Sequence, residues 1–242
     1  MRHHRRYTGI VVAALAIGVI TACDPVSVTE TTFSDDASVS EKITAVKFDN
    51  SAGDLTVRGK SGTDKASVHR KVSYRSSKPG VTTKVENGVL VLSGCGHLCA
   101  VDYTIELPVG LPVSGAGSAG GITLSQVGDV SVHTDHGDIS VEDAGTVDVR
   151  TSNGDIKGNN LKGEQTTAKT DNGGIKLSPG KAQNVKASTS HGDVSVTVPA
   201  GSYKVSAKTD IGEKHVGVSN DSNGKFKLDV GTELGDVTVK TG

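Results

Sequence analysis

Apolar and polar residues alternate with a period of two on both sides of a turn that recurs through the second half of the chain. Ahead of each turn, apolar or small residues stand two and four positions before a threonine, as Val130 and Val132 do before Thr134. Beyond the turn glycine they stand two and four positions later, as in Ile139 and Val141. This alternation predicts short β-strands with one buried face.

Six turns have the form Thr-x-x-Gly followed by an acidic residue or a glycine, and successive turn glycines are 17–23 residues apart. The turns are Thr134–Asp138, Thr151–Asp155, Thr170–Gly174, Thr189–Asp193, Thr209–Glu213 and Thr232–Asp236. A weaker copy, Ser51–Asp54, opens the folded region. One repeat of this size cannot bury its apolar face alone, so the repeats must stack at about 4.8 Å. The sequence therefore predicts an all-β fold, a single-stranded β-solenoid (β-helix-like) of short 17–23-residue rungs.

The turn chemistry is explained without a ligand. Glycine adopts positive φ easily, and a threonine or aspartate at the turn start can accept a backbone N–H.

Lys214 stands at an inward-looking position, which predicts a widened or irregular rung. Gly115–Gly120 matches G-x-G-x-x-G, but the dinucleotide fingerprint must open a helix and Ile122–Leu124 continues as a strand pattern. We therefore interpret that segment as a turn.

The chain begins with the pattern of an export signal. Met1–Tyr7 is basic, and Ile10–Ile20 is an apolar run too short for a spanning helix of ~20 residues. Ile20–Cys23 resembles the bacterial lipobox, which implies cleavage after Ala22 and lipidation of the Cys23 thiol. An ordinary cleaved signal with an incidental Cys23 is the alternative.

With a lipoprotein signal at its start, the chain is predicted to have three parts. Residues 1–22 are a lipoprotein signal peptide that is removed, residues 23–45 are the lipidated cysteine and a flexible tether, and residues 46–242 are the solenoid. The tether prediction depends on Asp24–Ser40, which is rich in Ser, Thr and Asp, although part of it could be an irregular first strand. We expect the protein on the outer face of the bacterial cell membrane, held by its lipid.

Composition excludes one class of partner. Charges nearly cancel at a net −1, aromatic residues are 3%, and tryptophan is absent. A nucleic-acid binder needs a basic face and benefits from stacking platforms, so no nucleic-acid partner is expected. The sequence also indicates no cofactor.

Cys95 and Cys99 lie between two strand-like runs, Gly88–Leu92 and Val101–Leu107. In an exported protein, two nearby cysteines usually pair, and the loop they close would sit at a hairpin end. His97 between them suggests a metal site instead, but structural zinc needs four ligands and no second Cys/His pair is present in the sequence. A disulfide is the favoured prediction.

Four aspartates at one turn position are weak candidates for a calcium column, because like charges one rung apart repel unless a cation bridges them. They are Asp138, Asp155, Asp193 and Asp236. Gly174 interrupts the column. No other metal site is indicated.

Three histidines lie in or near these turns. His133 and His136 diverge on a strand-turn segment, and His191 is three rungs from His136, about 14 Å at ~4.8 Å per rung. We interpret them as solvated turn residues.

The whole pattern resembles one family of exported bacterial β-repeat proteins, the DUF4097 group, which carries an adhesin label. The resemblance rests on Phe48–Val57, on Tyr103–Pro108 leading into the array, and on the serial turns, and it covers roughly Val46 to Val239. It implies a single-stranded β-helix-like fold and no established reaction.

These observations predict a non-catalytic, membrane-anchored surface lipoprotein for adhesion, scaffolding or envelope sensing. Its partners would be the membrane, through the lipid anchor, and an envelope protein or glycan. The C-terminal run Val237–Lys240 has no evident cap, which suggests end-to-end self-association.

The alternative function is a polysaccharide-acting β-helix enzyme, a lyase or hydrolase. Such enzymes cluster acidic and basic side chains on long rungs. Here Arg150 is the only arginine of the array, and the rungs are too short for a cleft formed by side loops.

Overall fold

A computed structural model of the chain describes residues 30–242, which form 21 strands and no helix. The strands are β1 Thr31–Val39, β2 Ala45–Ala52, β3 Leu55–Lys60, β4 Ala66–Tyr74, β5 Thr83–Glu86, β6 Val89–Ser93, β7 Cys99–Pro108, β8 Val113–Ala119, β9 Ile122–Ser125, β10 Val130–His136, β11 Ile139–Glu142, β12 Val147–Asn153, β13 Ile156–Leu161, β14 Gln165–Asn172, β15 Ile175–Pro179, β16 Asn184–His191, β17 Val194–Val198, β18 Tyr203–Ile211, β19 Lys214–Val216, β20 Phe226–Leu234 and β21 Val237–Thr241.

The strands form two sheets that share one apolar core. Sheet A has the order β1-β4-β7-β3-β9-β11-β13-β15-β17-β21-β19, and sheet B has the order β18-β20-β16-β14-β12-β10-β8-β2-β6-β5. The alternating pattern of the sequence places valine, isoleucine, leucine and alanine inward from both sheets. The all-β prediction is confirmed.

Each rung of the array is one strand of sheet B, a glycine corner and one strand of sheet A. From β10 to β17 the rungs stack in chain order, parallel and in register, so that Val130 pairs with Val147 and Ile139 pairs with Ile156. Ser51–Asp54 is the corner between β2 and β3, and this rung also stacks on β8 and β9. The predicted solenoid of short rungs is therefore present.

The rungs do not stack in chain order at the C-terminal end. The rung β20–β21 is inserted between β16–β17 and β18–β19. Val237 pairs with Val194 on one side and with Lys214 on the other. The prediction of an open edge at Val237–Lys240 is wrong, and within residues 30–242 the strands left at this end are β18 and β19.

The position of Lys214 explains why β18–β19 is the outer rung. Lys214 is in register with the buried Val237, yet it is exposed because no further described strand covers it. The expected irregular rung is instead the last rung, where the ammonium group reaches water without crossing the core.

The opposite end is built from antiparallel strands. β1 pairs with β4, β4 pairs with β7, and β5 pairs with β6, all antiparallel. Residues Thr31–Val39 fall in the segment predicted as a tether, but they form β1. The alternative interpretation, that part of this segment is a first strand, is therefore confirmed.

Two local predictions near this end need correction. The chain passes from β6 in sheet B to β7 in sheet A at Cys95–Cys99, so the loop is a crossing between sheets and not a hairpin end. Gly115–Ala119 is strand, and only Gly120 lies at the corner. Glycine is required at position 115, because a Cβ there would lie 2.0 Å from the Phe48 carbonyl oxygen. The absence of a side chain at Gly115 therefore makes room for Phe48.

The signal peptide and Cys23 lie outside the described residues, so cleavage and lipidation remain predictions. Among residues 30–242, no helix has the length and apolarity needed to span a bilayer.

Candidate functional site

The corner glycines form a column that runs the length of the stack. Gly137 has φ 145°, and a Cβ on it would lie 2.1 Å from the Gly120 carbonyl oxygen of the neighbouring rung. The same close approach recurs at each corner, so only glycine fits. In spatial order the column is Gly53, Gly120, Gly137, Gly154, Gly173, Gly192, Gly235 and Gly212.

The turn threonines join the rungs by donating hydrogen bonds. Thr151 is buried, and its Oγ1 donates to the Gly137 carbonyl oxygen at 3.0 Å. Thr170 makes the same bond to Gly154, also at 3.0 Å. The expectation that these threonines accept backbone N–H groups is therefore wrong: a buried hydroxyl pairs with the corner carbonyl, which the ladder leaves free.

The four calcium candidates accept backbone hydrogen bonds. Asp138 Oδ1 accepts the N–H of Asp155 at 2.8 Å, and Asp155 Oδ1 accepts the N–H of Gly174 at 2.9 Å. Asp193 Oδ1 accepts the N–H of Asp236 at 2.8 Å, and Asp236 Oδ1 accepts that of Glu213 at 2.8 Å. One oxygen of each carboxylate thus joins two rungs.

The fold brings these aspartates together as two neighbouring pairs, Asp138 with Asp155 and Asp193 with Asp236, separated by Gly174. Among residues 30–242, no group of three or more His, Cys, Asp or Glu side chains is arranged to hold a metal ion. Calcium binding remains a prediction for experiment.

The turn histidines do not meet. His136 pairs with Asn153, Asn153 with Asn172 and Asn172 with His191, so two asparagine rungs separate the histidines. His133 contacts Asp135 of its own rung at 3.1 Å.

A polar network at the β1 end was not foreseen from the sequence. The Arg70 guanidinium binds both carboxylate oxygens of Asp35, at 2.6 and 2.7 Å, and donates to Gly80 O and Thr82 Oγ1. The buried Tyr103 hydroxyl donates to Thr82 Oγ1 at 2.6 Å. The Arg70 side chain is only 11% exposed, so this network ties β1, β4, β7 and the loop before β5 into one unit.

These contacts set the pKa values of the groups. The hydrogen bond from Arg70 lowers the pKa of Asp35, and the same bond raises the pKa of Arg70. Burial raises the pKa of Tyr103. The arrangement holds β1 against β4 electrostatically. A signal for it was present in the sequence at Arg70, a charged residue at an inward position between Val68 and Val72.

Phe33 completes this end of the molecule. Its ring packs edge-on against Tyr74, with ring centroids 6.1 Å apart, and the Lys78 ammonium lies 4.4 Å from the Phe33 centroid. Glu30, just before β1, pairs with Arg75 at 3.0 Å. Side chains along the full length of β1 therefore bind it to the stack.

The predicted disulfide is confirmed. Cys95 and Cys99 are bonded, with their Cα atoms 5.7 Å apart. Cys99 lines a shallow pocket of about 300 Å³ with Glu30, Arg75 and the exposed Leu98.

A second shallow groove, of about 430 Å³, crosses the outer face of sheet A. Lys157 and Lys176 lie side by side in it, in register on adjacent strands, and Asn159 and Ser178 line its floor. Neither lysine has an ion-pair partner among residues 30–242. The groove offers two positive charges and small polar groups to an acidic ligand, and one carboxylate, that of Glu142, also lines it.

Comparison with known proteins identifies the family. Residues 26–240 match the Toastrack family, DUF4097, and the chain belongs to it. The family resemblance noted in the sequence is thereby confirmed. No curated protein matches the chain significantly.

Several solved structures are similar over most of the chain. One is a proposed adhesin of Bacteroides fragilis, 13% identical, covering 87% of this chain and 97% of its own, with a TM-score of 0.43. A proposed cell adhesion protein of Clostridium sporogenes is 16% identical, covering 88% and 100%, with a TM-score of 0.40. A proposed lipid binding protein of Parabacteroides distasonis is 9% identical, covering 86% and 96%, with a TM-score of 0.35.

Proposed function

We propose that this protein is a non-catalytic surface lipoprotein that displays a rigid Toastrack stack for adhesion, scaffolding or envelope sensing. The observation that carries the proposal is the chemistry of the turns. The most regular polar side chains of the sequence, the threonines and aspartates of the corners, bind the backbone of the neighbouring rung. The repeated motif therefore has a structural role in stacking the rungs, and the outer faces of the sheets are left available for binding.

The lipobox-like Ile20–Cys23 supports anchoring and gives the stack an orientation. Glu30, where the described chain begins, pairs with Arg75 at the β1 end of sheet A. A lipid on Cys23 would therefore hold the β1 end close to the membrane. Ten strand spacings of ~4.8 Å separate β1 from β19, so the far end would stand about 48 Å away.

The groove around Lys157 and Lys176 supports an acidic envelope polymer, such as a phosphate- or carboxylate-bearing glycan, as one class of partner. Two adjacent ammonium groups favour repeated anionic groups, and the interaction would weaken with salt. A protein partner is the other class within this proposal.

A binding experiment tests the function. The full chain in detergent micelles is incubated with the producer's own envelope fractions, with and without calcium, and both capture and polymer length are measured. Saturable capture of an intact polymer supports a binding module. Shortening of the polymer would overturn it in favour of the alternative, a polysaccharide-acting enzyme.

Paired variants locate the face. Lys157→Glu with Lys176→Glu should abolish capture of an acidic polymer. Lys169→Glu with Lys186→Glu is the control, because these lysines are also exposed on neighbouring rungs, but in sheet B.

Anchoring is tested separately by Cys23→Ser, which should release the protein from the membrane fraction.

A further inference from the structure

The end of the stack formed by β18 and β19, here named the distal end, combines open strand edges with exposed apolar side chains. Among the strands of residues 30–242, β18 pairs only with β20 and β19 only with β21, so each has one side without a neighbouring strand; on β18 that side carries an isolated bridge from Tyr203 to Asn220. Three large apolar side chains at this end are exposed to solvent: Ile211 at 67%, Leu234 at 49% and Val216 at 41%. Free strand edges beside exposed apolar groups favour pairing with another strand.

The first part of the β18 edge is covered by the loop that follows β19. Asn220 Oδ1 accepts the N–H of Val205 at 2.9 Å, and the N–H of Asp221 donates to Tyr203 O at 2.9 Å. Because alternate residues of a strand point their backbone groups to the same side, Ala207 and Thr209 present free N–H and C=O groups to the outside. The accessible edge therefore begins beyond Val205 and ends at the corner after Ile211.

We propose that the distal end binds the distal end of a second copy of this chain, with the two β18 strands antiparallel about a two-fold axis at Thr209. The proposal rests on the proposed function for its orientation, and it identifies the adhesive partner as the protein itself. Sheet B would continue from one copy into the other.

Charge complementarity selects this partner and this register. Lys208 and Asp210 both point outward from β18 and are exposed. Pairing about Thr209 sets Lys208 of each copy opposite Asp210 of the other, and sets Ile211 beside Ala207 of the other. Pairing about Lys208 would oppose two lysines, and pairing about Ala207 would drive the second copy into the Asn220 loop. The charges of the distal rung are also nearly balanced, with Lys204, Lys208 and Lys214 against Asp210 and Glu213, so the end does not repel itself.

The β1 end is less suited to this contact. In sheet A its edge strand carries Asp35 and Asp36, both engaged by β4, and in sheet B its edge strand β5 carries Lys84 and Glu86, which pair with each other. This end would also lie beside the membrane. A distal-to-distal contact would place the two lipid anchors at opposite ends of a pair roughly 100 Å long, from two stacks of ten spacings of ~4.8 Å and the spacing between them. It would therefore join two facing membranes and not neighbours in one membrane.

Charge-swap variants test the proposal. The full chain in detergent micelles is examined by sedimentation over a range of concentrations. Wild type should show a reversible monomer–dimer equilibrium. Lys208→Asp and Asp210→Lys should each weaken it about tenfold, because each replaces two attractions by two repulsions. An equimolar mixture of the two single variants should regain wild-type affinity, because every charge at positions 208 and 210 then faces an opposite charge across the mixed pair.

The controls separate this outcome from others. Lys169→Asp occupies the same outward register position on β14, which has neighbours on both sides, and should not alter association. Amide hydrogen exchange of wild type should slow at Ala207 and Thr209 as concentration rises, which requires no variant. A monomer at every concentration, or association that the mixture fails to restore, would overturn the proposal. A monomer that still captures an envelope polymer would overturn this contact and leave the proposed function standing.

Discussion

The Thr151 hydroxyl donates a 3.0 Å hydrogen bond to the carbonyl oxygen of Gly137, one rung away. The bond joins two adjacent corners and is shielded from solvent, because Thr151 is only 3% exposed. The same pairing of threonine with the neighbouring glycine is repeated at the corners that follow. It explains why threonine recurs at this turn position.

Thr151→Val keeps the shape of the side chain and removes the donor. We expect the free energy of unfolding to fall by about 1–2 kcal/mol, because the Gly137 carbonyl is left without its partner. Thr151→Ser keeps the hydroxyl and serves as the control, with a smaller loss from the missing methyl. Denaturant unfolding measures both. Equal losses for the two variants would contradict a role for the hydrogen bond.

Gly137→Ala should be among the most damaging single-methyl additions in the chain. Its φ of 145° is unfavourable for a side chain, and the added Cβ would meet the Gly120 carbonyl at 2.1 Å. We expect a loss of more than about 2 kcal/mol or failure to fold. Gly121→Ala is the matched control, since its nearest atom would be 3.6 Å away. The thermal midpoints of the two variants give the comparison.

Asp155→Ala should destabilise the protein by about 1 kcal/mol, because the Gly174 N–H loses its acceptor. Asp155→Asn keeps an acceptor oxygen and should remain close to wild type. If the aspartate column is structural, calcium will not change the melting temperature of either variant or of wild type. A calcium-dependent rise in wild type that Asp155→Asn removes would instead establish a cation site.

The Asp35–Arg70 pair predicts the acid sensitivity of the β1 end. Arg70 lowers the pKa of Asp35 in the folded chain, below about 3.9 in the unfolded chain. The stabilisation is therefore complete above the unfolded value and is lost as pH falls through the folded pKa. Because the Asp35 side chain is 45% exposed and solvent screens the pair, Asp35→Asn should lower stability at pH 7 by only about 1 kcal/mol and reduce the further loss on acidification.

Asp36→Asn is the control for that measurement. Asp36 is the next residue along β1 and pairs with His69, but its side chain is 83% exposed. We expect a change within about 0.5 kcal/mol. Hydrogen exchange of β1 amides as a function of pH reports both variants. Identical pH profiles for wild type and Asp35→Asn would refute the assignment.

Much of this fold follows from local pattern. Period-two alternation around Thr134 and Thr151 predicts the strands, and the spacing of the glycines predicts the stacking, because each rung's thin apolar face needs a neighbour. The Cys95–Cys99 pair follows from their proximity together with the export that the N-terminal pattern predicts. These features depend on residues close together in the chain, so the sequence determines them by itself.

The order of the last rungs and the polar network at the β1 end depend on residues far apart in the chain. Every rung presents the same register, so local pattern does not choose between β18–β19 and β20–β21 as the neighbour of β16–β17. The tertiary structure puts the rung with Lys214 outermost, where its charge stays in water, and buries Val237 and Val239 beneath it. The network of Asp35, Arg70 and Tyr103 likewise joins residues far apart in the chain, and only the assembled sheets bring them into contact.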